Sequence, residues 1–311
     1  MSYIKDLVDG ERLHDTFLVT NMTKGVTGNN QTYFTVTFQD KTGTIEGKKW
    51  EINSEDADIF AIGNIVELDA DVIFYRNGLQ LKIISGKKLP VEGIDIARYT
   101  IASPIPQAEL EAKLKTLLQS IKDPEVALIV NSLIERHYEA FVTFPAAVRN
   151  HHEFANGLLY HTLSMAGLAD LMAQYYSGID RDILIGGVLL HDLGKVVELS
   201  GPIITKYTTE GKLLGHISIC ASEIHEMADE LNITSEVPTL LEHMVLAHHG
   251  HLEYGSPVLP LTREALLLSF IDDIDAKMMI LDKAFEGVAE GEFTSRIWPL
   301  NDSYFYKPKK R

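Results

Sequence analysis

ILIGGVLLHDLGKVVEL, residues 183 to 199, decides how this chain is read. Its residues are almost all apolar and leave no polar face at the 3.6-residue period, so the pattern predicts a helix buried on every side. Yet His191, Asp192 and Lys195 stand inside it. Such side chains are seldom buried unless something offsets the loss of their water. Whatever does so must come from elsewhere in the chain.

Ten of the twelve histidines lie between His151 and His251. In GLLYHTLSMAGLADLM, residues 157 to 172, His161 shares a helix face with Leu158, Met165, Leu168 and Met172 and so points into a core. His216 opens a following helix, and His248 and His249 end the helix PTLLEHMVLAHH before Gly250, a natural C-cap. Asp272 falls on the stripe of Leu268, Ala276 and Met279, with Asp275 one turn away. A lone buried histidine is usually satisfied by a backbone carbonyl, and a lone buried aspartate by a helix end or an ion pair. A whole set is different, because a divalent cation accepts all their lone pairs at once. Histidine and aspartate without thiolate suit borderline or hard divalent ions such as Mn²⁺, Fe²⁺ or Mg²⁺ better than a structural zinc.

The 311 residues allow two domains, and the single cysteine, Cys220, leaves no internal disulfide and fits a reducing, cytoplasmic setting. No run reaches the roughly 18 apolar residues of a membrane span, and the first residues, MSYIKDLVDGER, lack the apolar stretch of a signal peptide. A net charge of −16 argues against coating nucleic acid by bulk positive charge. The basic end KPKKR, residues 307 to 311, reads as a solvated tail.

Residues 1–90 have the period of strands. Phe34, Val36 and Phe38 alternate with Tyr33, Thr35 and Thr37, and DVIFYR and LQLKII flank Asn77-Gly78, a strong hairpin signal. About five strands with one helical turn in NSEDADIFAIG suit an OB-type β-barrel, or an SH3-like one. Residues 91–106, bearing Pro104 and Pro106, read as a linker. Residues 107–311 read as helical, with runs at about 124–141, 157–177, 180–199, 215–232, 236–249 and 262–290. The fold class is therefore an all-β domain followed by an all-α domain.

The ordered set His161, His191-Asp192, His216, His248-His249, Asp272 resembles the HD-domain superfamily of metal-dependent phosphohydrolases, over residues 150–280. That resemblance implies a helical bundle in which His161, His191, Asp192 and Asp272 hold one ion. Where a second is bound, Asp192 bridges the pair and His216, His248 and His249 complete the set. Phosphate ester hydrolysis by a metal-activated water follows, with Asp192 central to it. Lys195 is placed to hold a phosphate oxygen, or else packs its stem and sends its ammonium to solvent. Asp275 is a candidate to orient a ligand, and His152 to line the cleft.

An OB domain followed by an HD domain at this length is similar to the YhaM family of 3′-to-5′ exoribonucleases. PAAVRNHHEFANGLLYHT, HDLGK, GHI, AHHG and DDIDAKM carry the likeness, and Tyr160 departs from the acidic residue that often precedes the first histidine. The resemblance implies that the β domain holds single-stranded RNA, with single-stranded DNA a second candidate, while the helical site removes nucleotides from the 3′ end with Mn²⁺ as the leading activator, Fe²⁺, Co²⁺ or Mg²⁺ as other candidates, and one or two ions per site. Tyr33 and Trp50 are candidates for stacking on bases, and Lys48, Lys49 and Lys82 for backbone contacts. A homo-oligomer is compatible with this reading, though no residue pattern specifies it. Two rivals stay open: a nucleotide or cyclic-dinucleotide phosphohydrolase, and a non-catalytic single-strand-binding protein.

Overall fold

In the computed structural model the described residues are 3–76, 78–90, 98–101, 103–146, 155–201 and 205–310. The chain divides into two compact units, Met1–Ala102 and Ser103–Arg311. That division falls inside the stretch expected as a linker, of which residues 91–97 lie outside the described residues.

The first unit is a closed five-stranded barrel in the order β1-β2-β3-β5-β4. Its strands are β1 (Arg12–Val26), β2 (Thr32–Asp40), β3 (Gly43–Lys49), β4 (Ile65–Tyr75) and β5 (Gly78–Lys88), with α1 (Asp56–Ile59) as the single interposed turn. The alternation in β2 does what the period predicts: Phe34, Val36 and Phe38 are buried, and Phe38 meets Phe17 and Phe60 edge-on in the core. β3 closes on β5 in parallel through Gly47↔Leu81 and Lys48↔Lys82, while the other pairs are antiparallel. This is the arrangement of an OB-type barrel. Asn77 lies outside the described residues, but Tyr75↔Gly78 closes the hairpin around it.

The second unit is helical, with α2 (Gln107–Gln119), α3 (Pro124–Arg136), α4 (Tyr138–Thr143), α5 (Gly157–Tyr175), α6 (Arg181–Leu190), α7 (Lys195–Glu198), α8 (Thr209–Glu230), α9 (Val237–Ala247) and α10 (Arg263–Glu286). Every residue of α6 from Ile183 to Leu190 is buried, as its unbroken apolar run requires. It packs against α3, α5, α9 and α10.

Two expectations are corrected. The run 180–199 is not one helix: α6 stops at Leu190, a four-residue turn carries His191 to Gly194, and α7 follows. His216 opens the second segment of α8, which breaks at Gly215, while a first short segment starts at Thr209, where Thr208 caps it by accepting from Gly211 N–H. The basic end is also tied down at its start, because Lys307 Nζ donates to the carbonyls of Phe285 and Val288 at 2.6 and 2.8 Å. Cross-strand bridges Phe293↔Tyr306 and Ile297↔Ser303 bring it back to the end of α10.

Candidate metal centre

Helix ends build the site. The last turn of a helix leaves carbonyls without amide partners, and His191, the residue after α6, takes one up by donating Nδ1–H to Val188 O at 2.8 Å. The same device recurs after α9, where His248 donates Nδ1–H to Val245 O at 2.6 Å. Each ring folds onto its own helix, which leaves its Nε2 for other work.

The remaining imidazoles are held in the same sense by different partners. His249 donates Nδ1–H to Tyr254 O at 2.8 Å, His161 to the Asp275 carboxylate at 2.7 Å, and His216 to the Glu198 carboxylate at 3.2 Å. Carbonyls and ionised carboxylates only accept, so all five rings carry hydrogen on Nδ1, which puts the lone pair of each neutral ring on Nε2. Four of these atoms surround Asp192. His191 and His161 Nε2 stand 3.3 and 3.8 Å from Oδ2, and His216 and His248 Nε2 stand 3.5 and 3.9 Å from Oδ1. Asp272 Oδ1 comes within 3.3 Å of His161 Nε2. Two ligand sets result, His161–His191–Asp192 and His216–His248–His249, each with donor atoms within 4.8 Å of one another.

This donor set fits a divalent cation. Among the described residues, Asp192 Oδ1, His216 Nε2 and His248 Nε2 are buried without a hydrogen-bond partner, an arrangement that costs stability wherever nothing else compensates. His161 and His191 Nε2 lie 3.3 Å apart, so two lone pairs confront each other. In the metal-free protein a proton eases that conflict. Burial opposes charge on His161, but hydrogen bonds to Asp272 and Asp275 outweigh it and push its pKa up to about 9. Asp192 is buried and Asp272 half-buried, and this loss of water opposes their charge, yet Lys195 and the histidines hold the first well below the usual carboxylate range, and His161 lowers the second. Burial pushes His248 and His249 down, which keeps their lone pairs available at neutral pH.

The centre opens into a cleft of about 230 Å³ lined by Asp192, Lys195, His249, Tyr254, Asp272 and others. Lys195 Nζ lies at its wall, 2.7 Å from Asp192 Oδ2, so its ammonium does not simply run to bulk solvent. Asp273 is exposed at the rim of this cleft and pairs with Lys277 at 2.7 Å. Asp275 accepts from His161 Nδ1–H and also from the Ser164 hydroxyl. His152 lies outside the described residues. Sequence reasoning missed Ser164 and Glu198. Glu198 was legible, because it is an acid inside the same apolar run that singled out His191 and Asp192. A larger groove of about 580 Å³ between α2 and α5 holds no comparable cluster, and its charges are spent on one another, as in Arg181–Asp170 at 2.6 Å and Lys113–Glu109 at 2.9 Å.

On the barrel, Tyr33 and Trp50 stack with ring centroids 4.8 Å apart. Lys48 Nζ lies 5.4 Å from the Tyr33 ring centre, and Lys48 pairs across strands with the exposed Lys82. These four share one region of β2, β3 and β5. Lys49 does not belong with them: it is buried and donates its ammonium to Ile84 O at 3.0 Å.

Residues 158–277 match the HD domain family. The chain is 42% identical over 300 residues to the 3′-5′ exoribonuclease YhaM of Bacillus subtilis (strain 168), covering 96% of both chains. It is equally similar, at 42% over 300 residues and 96% of each chain, to the protein of that name from Bacillus velezensis. With that of Geobacillus sp. (strain WCH70) the identity is 42% over 301 residues, covering 96% of this chain and 93% of the relative. Among solved structures, the second OB-fold domain of replication protein A from Methanococcus maripaludis aligns with 30% of this chain and 96% of its own, at 15% identity and a TM-score of 0.21.

Proposed function

The chain belongs to the YhaM family of 3′-5′ exoribonucleases, and from that premise we propose how its residues divide the work. It is a metal-dependent 3′-5′ exoribonuclease, which hydrolyses phosphodiester bonds from the 3′ end of RNA. The observation that carries the mechanism is the convergence of imidazole lone pairs on Asp192, with every Nδ1 already committed elsewhere.

His161, His191, Asp192 and Asp272 would hold one ion, and His216, His248 and His249, sharing Asp192, a second. Mn²⁺ suits this mixture of imidazole and carboxylate. When bound, such ions supply a nucleophilic water at neutral pH and positive charge against the phosphate oxygens. The rest is done by the chain. Asp192 places a carboxylate between the two ligand sets, and the backbone carbonyls of Val188 and Val245 hold His191 and His248 in register for it. Lys195, steered by Asp192, offers its ammonium at the cleft wall to a phosphate oxygen, where charge grows as the ester bond breaks. The apolar helix behind His191 excludes water from the far side and fixes the ligand geometry.

The barrel serves as the strand-holding domain, with Tyr33 and Trp50 stacking on bases and Lys48 and Lys82 beside the backbone. No helix among the described residues is long and apolar enough to cross a membrane, and the buried free thiol of Cys220 accords with a cytoplasmic setting. The test is 5′-end-labelled single-stranded RNA, and DNA of the same sequence, incubated with metal-stripped protein with and without Mn²⁺. A Mn²⁺-dependent ladder shortening from the 3′ end is expected, with the two substrates reporting the sugar preference. Intact strands alongside turnover of mononucleotides would replace this reading with a nucleotide hydrolase.

A further inference from the structure

His216 is positioned unlike any other histidine of the centre. It lies mid-helix, yet the residue before it, Gly215, breaks the helix with φ +74° and ψ 151°. Glycine adopts such angles without the penalty a side chain brings. Crowding does not demand glycine there, because a Cβ on Gly215 would meet nothing within 4 Å. The break instead coincides with a clamp. His216 donates its backbone N–H to Glu198 Oε1 at 3.2 Å and its Nδ1–H to the same carboxylate at 3.2 Å. On the other side, the turn bearing His191 and Asp192 presses directly on His216, since a Cβ on Gly194 would fall 2.1 Å from His216 O. Glu198 is itself buried, at the end of the short helix that this turn begins.

We propose that Glu198 is the positioning residue of the second ion: gripping His216 at two points beside the Gly215 break, it aims Nε2 at Asp192 Oδ1 and so governs occupancy of that ion apart from the first. The inference rests on the two-ion reading above. His191 and His248 are held by carbonyls of their own helices, and His161 by Asp275, so none of the other three imidazoles around Asp192 depends on Glu198. Without Glu198, the buried Nδ1–H of His216 has no acceptor and the ring is free to turn or change tautomer.

The test is calorimetric titration of the metal-stripped full chain with Mn²⁺, with electron paramagnetic resonance to detect a spin-coupled Mn²⁺ pair. The unaltered protein is expected to bind two equivalents and show coupling. Glu198→Ala should weaken the second equivalent roughly 10- to 100-fold, leave the first within about twofold, and replace the coupled signal by that of an isolated ion. Glu198→Gln keeps an acceptor but loses the charge, and should fall between. Gly215→Ala adds no clash, only backbone strain, and should also weaken the second ion selectively, which keeps the inference testable if Glu198→Ala does not fold. Equal weakening of both ions, or of neither, would overturn the inference while two-equivalent binding by the unaltered protein upholds the reading beneath it. A single equivalent in the unaltered protein would overturn both.

Discussion

Replacing Lys195 by methionine separates two roles that its position allows. The ammonium is 2.7 Å from Asp192 Oδ2, with the lysine side chain 13% exposed and the aspartate 4%. Methionine keeps the apolar stem and removes only the charge. In the metal-free protein Asp192 then loses its nearest cation, and breaking a buried pair costs roughly 3 kcal/mol or more, a Tm lower by about 6–12 °C in a domain of this size. Mn²⁺ should restore most of that loss, because the ion takes up the abandoned carboxylate. It should also bind Lys195→Met at least as tightly as the unaltered protein, since a competing cation is gone. Hydrolysis should not recover. A charge-assisted bond to a phosphate oxygen contributes about 1.5–3 kcal/mol, so kcat/KM on RNA should fall about 10- to 150-fold at saturating Mn²⁺. The assay pairs Mn²⁺ titration and melting of each protein with single-turnover RNA hydrolysis. Refutation comes in two forms: Mn²⁺ affinity falling in step with the rate, which would make Lys195 only a support for Asp192, or a rate within twofold of the unaltered protein, which would leave it no part in the reaction.

Four further outcomes are expected. Asp192→Ala should lose detectable hydrolysis, because the carboxylate serves both ligand sets, while binding of labelled RNA to the full chain, followed by fluorescence anisotropy, persists through the barrel. Asp275→Ala should weaken the first Mn²⁺ roughly 10- to 100-fold by leaving His161 Nδ1–H without its carboxylate, and Ser164→Ala, which touches only Asp275, should do less; calorimetry distinguishes them. Since His161 in the metal-free protein holds a proton up to a pH of about 9, an ion must displace that proton. Apparent Mn²⁺ affinity should therefore rise with pH, up to about tenfold per unit below 9 and level above it, with proton release visible as a dependence of the calorimetric heat on buffer ionisation enthalpy. Tyr33→Ala and Trp50→Ala should each weaken single-stranded RNA binding by about 1–3 kcal/mol, without altering turnover of a small phosphodiester such as bis-p-nitrophenyl phosphate.

What the sequence disclosed follows from how each feature is encoded. The barrel was legible because alternation in Phe34, Val36 and Phe38 is a local pattern with one interpretation. The ligands were legible because polar residues inside apolar helices contradict their surroundings. The break of α6 after Leu190 was not, since periodicity cannot register a turn whose residues are as buried as the helix, and the reason for Gly194 lies in the backbone of His216, more than twenty residues away. The helix boundary at Gly215 was legible and its angles break α8 there, but the pairing of His216 with Glu198, 18 residues away, was not. Lys49 was grouped with Lys48 as one basic patch, although adjacent strand residues face opposite sides, and the buried Ile45 and Gly47 already put Lys49 inside.

The acidity of the chain and its affinity for a polyanion meet in the metal centre. Among the described residues, the carboxylates of Asp192, Asp272, Asp275 and Glu198 stand around the five imidazoles, against the ammonium of Lys195. Metal-free, this cluster is negative even with a proton on His161, and it repels a phosphate. One divalent ion, in displacing that proton, still leaves it negative; two make it positive. Asp275 and Glu198 also stand behind His161 and His216, so their charge reaches the ligands through the rings while being kept from direct contact with substrate. The chain thus has no need of a broad basic surface near its chemistry. Attraction for the scissile phosphate would then be conditional on the same ions that would supply the activated water, which would tie recognition of the strand end to readiness for its hydrolysis.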